Sequence, residues 1–185
     1  ESVSPDVDES QIPGESARDT ALRLAILKAR AVAPRFPSAI VIGSDQVASC
    51  EGVRVGKPGN HANAVKQLEL MSGRTAQFDT ALAVLDTATN EVRSRVVPCR
   101  VTFRPLTRAI IEAYLERDQP YDCAGSAKAE GLGIALIARE EAGSWTQRSP
   151  RERRRSVSHV RGPVATAWPG SECADRCSES GSRVV

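Results

Sequence analysis

Apolar positions at helical spacing alternate with short apolar runs along the first 140 residues, and the two periods mark out helices and strands in turn. Residues 1–14, with Pro5, Pro13 and Gly14, read as a loop that exposes Asp6, Asp8 and Glu9. Ser16 then caps a helix, with Asp19 three residues on as a variant capping box. Leu22, Ala25, Ile26, Ala29 and Ala33 form its buried stripe, and Lys28 falls off that stripe toward solvent or a cleft. The run Arg35–Pro37 ends the helix. Ala39–Gly43 reads as an interior strand, which delivers Ser44, Asp45 and Gln46 at its C-terminal end. Val47–Val55 predicts a hairpin turning at Glu51–Gly52. Asn60 caps a second helix that runs to Met71 and buries Ala64, Val65, Leu68 and Met71, with Gly73 as its stop.

Thr80–Leu85 reads as a core strand. A turn at 87–90 leads into a long partner strand, Glu91–Phe103, weakened or bulged at Pro98. Thr107 caps a third helix to Arg117, burying Ile110, Ile111, Tyr114 and Leu115. Cys123–Ser126 is a tight loop of small residues, and Gly131 and Gly133 lead into a last strand, Ile134–Ile137. Helices and strands intermix, which predicts an α/β or α+β fold with a mixed sheet. There is no internal repeat, no Walker loop and no G-x-G-x-x-G.

The pattern breaks near Glu140. From Glu141 to Val185 there is no Leu, Ile, Phe, Tyr, Met or Lys, and Arg and Ser each occur eight times. Such a segment has little apolar surface to offset chain entropy, so it is expected to be disordered or poorly packed. An out-of-frame origin accounts for the same shift in composition. Arg151, Arg153, Arg154 and Arg155 read as a solvated charge run, with a nucleic-acid patch as the alternative. Cys173, Cys177 and His159 lack a partner pair at zinc-site spacing.

Composition adds little beyond this. Aromatic residues make up only 4% of the chain, so the core must be built from Ala, Val, Leu and Ile. A net charge of +2 is too small to argue for a nucleic-acid partner. No apolar run approaches the roughly 20 residues that cross a bilayer. Five irregularly spaced cysteines favour reduced thiols in the cytoplasm over a disulfide framework.

The chemistry concentrates around Asp45. A carboxylate at a strand end, with Lys57 brought up on the Gly56–Lys57–Pro58 loop, suits a phosphate ester, a divalent metal and a water that needs a base. A turn cap is the alternative for Asp45, and an ordinary surface position is the alternative for Lys57 and Lys28. Glu130 sits among small residues, where it either faces a ligand or is simply solvated. Cys123 has no histidine partner that would make it a nucleophile. His61 reads as the exposed first turn of its helix.

Taken in order, D-V-D-E (6–9), L-R-L-A-x-x-K-A (22–29), I-G-S-D-Q-V (42–47), G-K-P (56–58), S-G-R (72–74) and C-A-G-S-x-K-x-E-G-x-G-I (123–134) resemble the Maf family of nucleoside triphosphate pyrophosphatases. S-D-Q and K-x-E-G look like the branch acting on 7-methyl-GTP. The resemblance covers about residues 4–140. It implies an α/β fold like that of inosine triphosphate pyrophosphatases, with a mixed sheet, flanking helices and a deep nucleotide-binding cleft. It implies a cytoplasmic enzyme, often a homodimer, that uses Mg2+ or Mn2+ to release pyrophosphate. By motif, Asp45 is the proton acceptor, and Lys28 and Lys57 grip the triphosphate. Gln46 and Glu130 contribute to substrate choice, and Glu9 joins Asp45 in holding the metal. Set against the family, residues 1–140 are expected to lack its first strand and its S-x-S-P-R-R-type loop, and 141–185 to replace its closing strand and helix. A nucleotide-binding remnant without turnover, or an interaction protein with a basic tail, are the competing readings.

Overall fold

The computed structural model describes residues 2–10, 12–142 and 164–167. The arginine run, both tail cysteines and His159 lie outside the described residues. Within the tail, Glu141 and Ala142 close one strand, and Val164–Ala167 form another.

The elements in chain order are α1 (Ala17–Val32), β1 (Ile40–Cys50), β2 (Val53–Arg54), α2 (His61–Met71), β3 (Thr75–Asp86), β4 (Glu91–Phe103), α3 (Arg108–Asp118), β5 (Ile137–Ala142) and β6 (Val164–Ala167). The sheet order is β2-β1-β3-β4-β5, and β6 pairs with β1. On β1, β6 runs parallel to Ile40–Gly43, and β2 runs antiparallel to Ser49–Cys50. The sheet is therefore mixed, as expected for this α/β fold. All three helix starts fall where the caps predict. Ser16, Asn60 and Thr107 each accept a backbone N–H with the side-chain oxygen, satisfying a donor that the first helical turn leaves open. The β1–β2 turn is the expected Glu51–Gly52, with both residues at positive φ, as a two-residue hairpin of the primed type requires.

The described chain forms two compact units, and β1, β3 and β4 each pass from one into the other. The first holds residues up to Asp45, Ala81–Val96 and 164–167. Its core is made of small and aliphatic side chains: Ala21, Leu24, Ala25, Ala29 and Val32 of α1, with Val41, Ala81, Ala83 and Leu85 of the strands. The second holds Gln46–Thr80 and residues 97–142. Its core gathers Val65, Leu68 and Met71 of α2, Ile111 and Leu115 of α3, and Phe103.

Four expectations need correction. First, β1 does not stop at Gly43. It is one strand of 11 residues, and Asp45 lies in its middle rather than at its end. Second, the buried face of α1 is Ala21, Leu24, Ala25, Lys28, Ala29 and Val32, so Lys28 lies on the stripe and is buried. Third, Ile110 is 45% exposed, and α3 buries Ile111, Tyr114 and Leu115. Fourth, Leu132–Leu136 is a 3-10 turn, and the last strand of that region begins at Ile137. Gly133 explains the turn, because a Cβ there would lie 2.4 Å from the carbonyl oxygen of Lys128, so the chain folds back on itself.

Candidate functional site

In the first unit the site starts from a glycine. Side chains alternate along a strand, so Val41, Gly43 and Asp45 share one face of β1. A Cβ at Gly43 would lie 2.2 Å from the carbonyl oxygen of Ala25 and 2.7 Å from the backbone nitrogen of Ala29. The backbone of α1 therefore packs directly against β1 at this point. Lys28 is one position before Ala29 on the same helix face, and Asp45 is two positions beyond Gly43. The close approach sets the lysine over the carboxylate.

Lys28 Nζ donates to Asp45 Oδ1 at 2.6 Å and pairs with Glu9 Oε1 at 2.7 Å. The Lys28 and Asp45 side chains are only 4% and 10% exposed, whereas Glu9 is half exposed. Burial alone would push the lysine's pKa down and is the largest single influence on it. The hydrogen bonds to Asp45 and Glu9 together outweigh it, and the ammonium is held above its usual pKa. Ser44, the other buried polar residue of β1, donates its hydroxyl to the carbonyl of Ala81 at 3.0 Å.

Arg23 holds the acidic loop in place. Its Nη2 donates to the carbonyl of Ser10 at 3.1 Å, next to Glu9, and its guanidinium grips Glu15 through Nε at 2.8 Å and Nη2 at 2.9 Å. Sequence reasoning passed over Arg23, although it lies inside the L-R-L-A motif. The signal available was a lone arginine within an otherwise apolar stretch of α1.

Among the described residues no group of three His, Cys, Asp or Glu side chains is placed to hold a metal ion. What the first unit does offer is two carboxylates, Asp45 and Glu9, converging on one cationic atom. That donor set fits a hard ion such as Mg2+ or Mn2+, which commonly takes one or two carboxylates and completes its shell with water and phosphate oxygens.

The structure thus brings Asp45, Lys28 and Glu9 together, while the other predicted residues belong to the second unit. Gln46 points to the opposite face of β1 from Asp45, and its amide donates to Thr80 Oγ1 at 2.8 Å. Lys57 is exposed on its loop, with no ion pair among the described residues. Glu130 is exposed in a turn. His61 is not a free surface residue, since it contacts Glu112 at 2.6 Å and the Tyr121 hydroxyl at 3.1 Å. Burial pushes the Cys123 thiol up to about 11, with Asp122 adding to the effect, so this thiol is not an activated nucleophile.

The family model described as Maf-like protein matches residues 1–147. A 7-methyl-GTP pyrophosphatase of Methylobacillus flagellatus is 56% identical over 135 residues, which is 73% of this chain and 70% of that protein. One from a Polaromonas species is 57% identical over 137 residues, 74% of this chain and 63% of the relative. One from Thiobacillus denitrificans is 54% identical over 141 residues, 76% and 70% of the two chains. The chain therefore spans roughly two thirds of the length of these relatives. A solved nucleoside-triphosphatase / dITP/XTP pyrophosphatase from Mycobacterium abscessus aligns with a TM-score of 0.40 and 14% identity, over 83% of this chain and 74% of that one, too loosely to bear on the site.

Proposed function

We propose that this chain, which belongs to the Maf family, hydrolyses 7-methyl-GTP to 7-methyl-GMP and pyrophosphate. The observation that carries the reading is the buried ammonium of Lys28, 2.6 Å from Asp45 and 2.7 Å from Glu9, in a chain more than half identical over 135 to 137 aligned residues to relatives named for that reaction.

Asp45 takes a proton from a water molecule. The water oxygen bonds to the α-phosphorus, the bond from that phosphorus to the bridging oxygen breaks, and pyrophosphate leaves with the electron pair. Little covalent chemistry is asked of the protein in such a transfer; positioning and charge compensation supply most of the acceleration. Lys28 serves both tasks. Its ammonium donates to Asp45 Oδ1 at 2.6 Å and so orients the carboxylate. When a triphosphate arrives, the same ammonium neutralises phosphate oxygens, and Lys57 does so from its own loop. Asp45 and Glu9 would hold a divalent ion, which supplies charge neutralisation on the phosphates when bound.

Gln46 and Glu130 are the residues we assign to substrate choice. A 7-methylguanine ring carries a positive charge, and a carboxylate favours it over neutral guanine. We place the enzyme in the cytoplasm, where Cys50, Cys99 and Cys123, none of them in a disulfide, stay reduced. Among the described residues no helix is long and apolar enough to cross a membrane.

The test is pyrophosphate release from 7-methyl-GTP with Mg2+, run beside Asp45→Asn. The variant keeps the shape of the side chain and cannot accept the proton, so turnover should fall by about 10²–10⁴. Equal release by both proteins would remove Asp45 from the mechanism. Nucleotide binding without release by the unsubstituted protein would establish the remnant instead.

A further inference from the structure

Gln67 is a half-buried residue in the middle of α2, and its amide is engaged at both ends by loops distant in the chain. Its Nε2 donates to the carbonyl oxygen of Gly56 at 3.0 Å, and its Oε1 accepts the hydroxyl of Ser126 at 2.5 Å. The carbonyl at Gly56 can only accept, so it fixes which end of the amide is nitrogen. Ser126 is fully buried, so no bulk water can replace Gln67 as its partner. The two loops also meet directly, where the Gly125 N–H donates to the same Gly56 carbonyl at 3.4 Å.

Gly56 immediately precedes Lys57, and the other side of that lysine is clamped as well. Asn63 Nδ2 donates to the carbonyl of Pro58 at 3.0 Å, and the Gly59 N–H donates to the carbonyl of Tyr121 at 2.9 Å. Lys57 is thus an exposed cation on a backbone tied down on both sides. Ser126 lies two residues before Lys128 and four before Glu130. A flexible lysine stem can direct its charge only as well as its anchor is held.

We infer that Gln67 is a positioning residue. It ties the loop that carries Lys57 to the loop that carries Lys128 and Glu130, so the phosphate-gripping cation and the base-selecting carboxylate share one amide brace. The functional half of this inference rests on the role proposed above for Lys57.

The experiment compares Gln67→Leu and Ser126→Ala, each alone and combined with Lys57→Ala. Gln67→Leu should lower kcat/KM for 7-methyl-GTP by about tenfold, the worth of one well-made hydrogen bond. In the Lys57→Ala background the same change should cost about threefold rather than tenfold, because the share that acts through Lys57 is gone while the share that acts through Glu130 remains. An equal loss in both backgrounds, or no loss in either, overturns the inference. Amide hydrogen exchange reads the brace without any substrate. Gln67→Leu should speed exchange in both 55–60 and 123–128, by about tenfold or more, whereas Ser126→Ala should loosen mainly 123–128. If the unsubstituted protein releases no pyrophosphate, the proposed function fails and exchange alone decides the brace; unchanged exchange in Gln67→Leu overturns it.

Discussion

Gly43 touches the backbone of Ala25: a Cβ on the glycine would lie 2.2 Å from that carbonyl oxygen. The contact is backbone against backbone, so no side chain can rotate away to relieve it. Gly43→Ala should push α1 off β1 and cost about 1–3 kcal/mol, as overpacking of a tight contact does. Because the same approach seats Lys28 over Asp45, turnover should fall along with stability. Urea denaturation and pyrophosphate release check both. Gly56→Ala is the stability control, since a Cβ there meets nothing within 4 Å. An unchanged urea midpoint in Gly43→Ala would contradict the close approach.

Lys28 is the next point of test. Lys28→Met removes a buried cation and leaves Asp45, 9% exposed, without its ammonium partner. Breaking one side of a buried pair costs about 3–5 kcal/mol. The pair also predicts a pH dependence. The folded protein holds the Lys28 proton more tightly than the unfolded chain, whose value is near 10.5. The pair's contribution is therefore complete below that pH and is lost as pH rises through the higher folded value. Between neutral pH and pH 10 the gap in urea midpoint between parent and variant should stay constant, and it should narrow above. A gap independent of pH up to 12 would refute the pairing.

What could be read in the sequence was whatever depends on near neighbours. The caps at Ser16, Asn60 and Thr107 and the turn at Glu51–Gly52 are settled by bonds within three residues, and a single chain displays them. The length of β1 was not legible. Ser44 and Asp45 look like the polar end of a strand, yet they lie inside it because Ser44 finds the carbonyl of Ala81 and Asp45 finds Lys28, 17 residues away. Lys28 was placed off the buried stripe for the same reason. Hydrophobic periodicity counts a lysine as polar, and its burial depends on two carboxylates from other segments. The motif resemblance named Asp45, Lys28 and Glu9 together, whereas their geometry came from Gly43, whose part only a structure displays.

The thiols offer a test independent of activity. Burial pushes the Cys99 thiol up to about 11, with the Glu140 hydrogen bond adding to it, and Cys123 reaches a similar value beside Asp122. At pH 8 the thiolate share then falls about a hundredfold below that of an ordinary thiol, while each thiolate is roughly eightfold more nucleophilic. Alkylation by iodoacetamide, resolved by peptide mass spectrometry, should run about tenfold slower at Cys99 and Cys123 in the folded protein than in urea. Folded and unfolded rates that agree would show that neither thiol is held by its surroundings.

Glu130 decides whether the base preference is electrostatic. It is exposed in its turn, so its attraction to a positively charged ring is weakened by solvent until a ligand covers it. At 4 Å two unit charges attract by about 1 kcal/mol in bulk water and about 4 kcal/mol at an effective dielectric of 20. Glu130→Gln keeps the shape and the acceptor oxygen but removes the charge. The ratio of kcat/KM for 7-methyl-GTP to that for GTP should therefore drop by at least about fivefold, the lower of those two limits. The fall should come from the methylated substrate, whose positive ring loses its partner, with GTP turnover nearly unchanged. A ratio that survives the substitution would place the discrimination elsewhere, with Gln46 the next residue to replace.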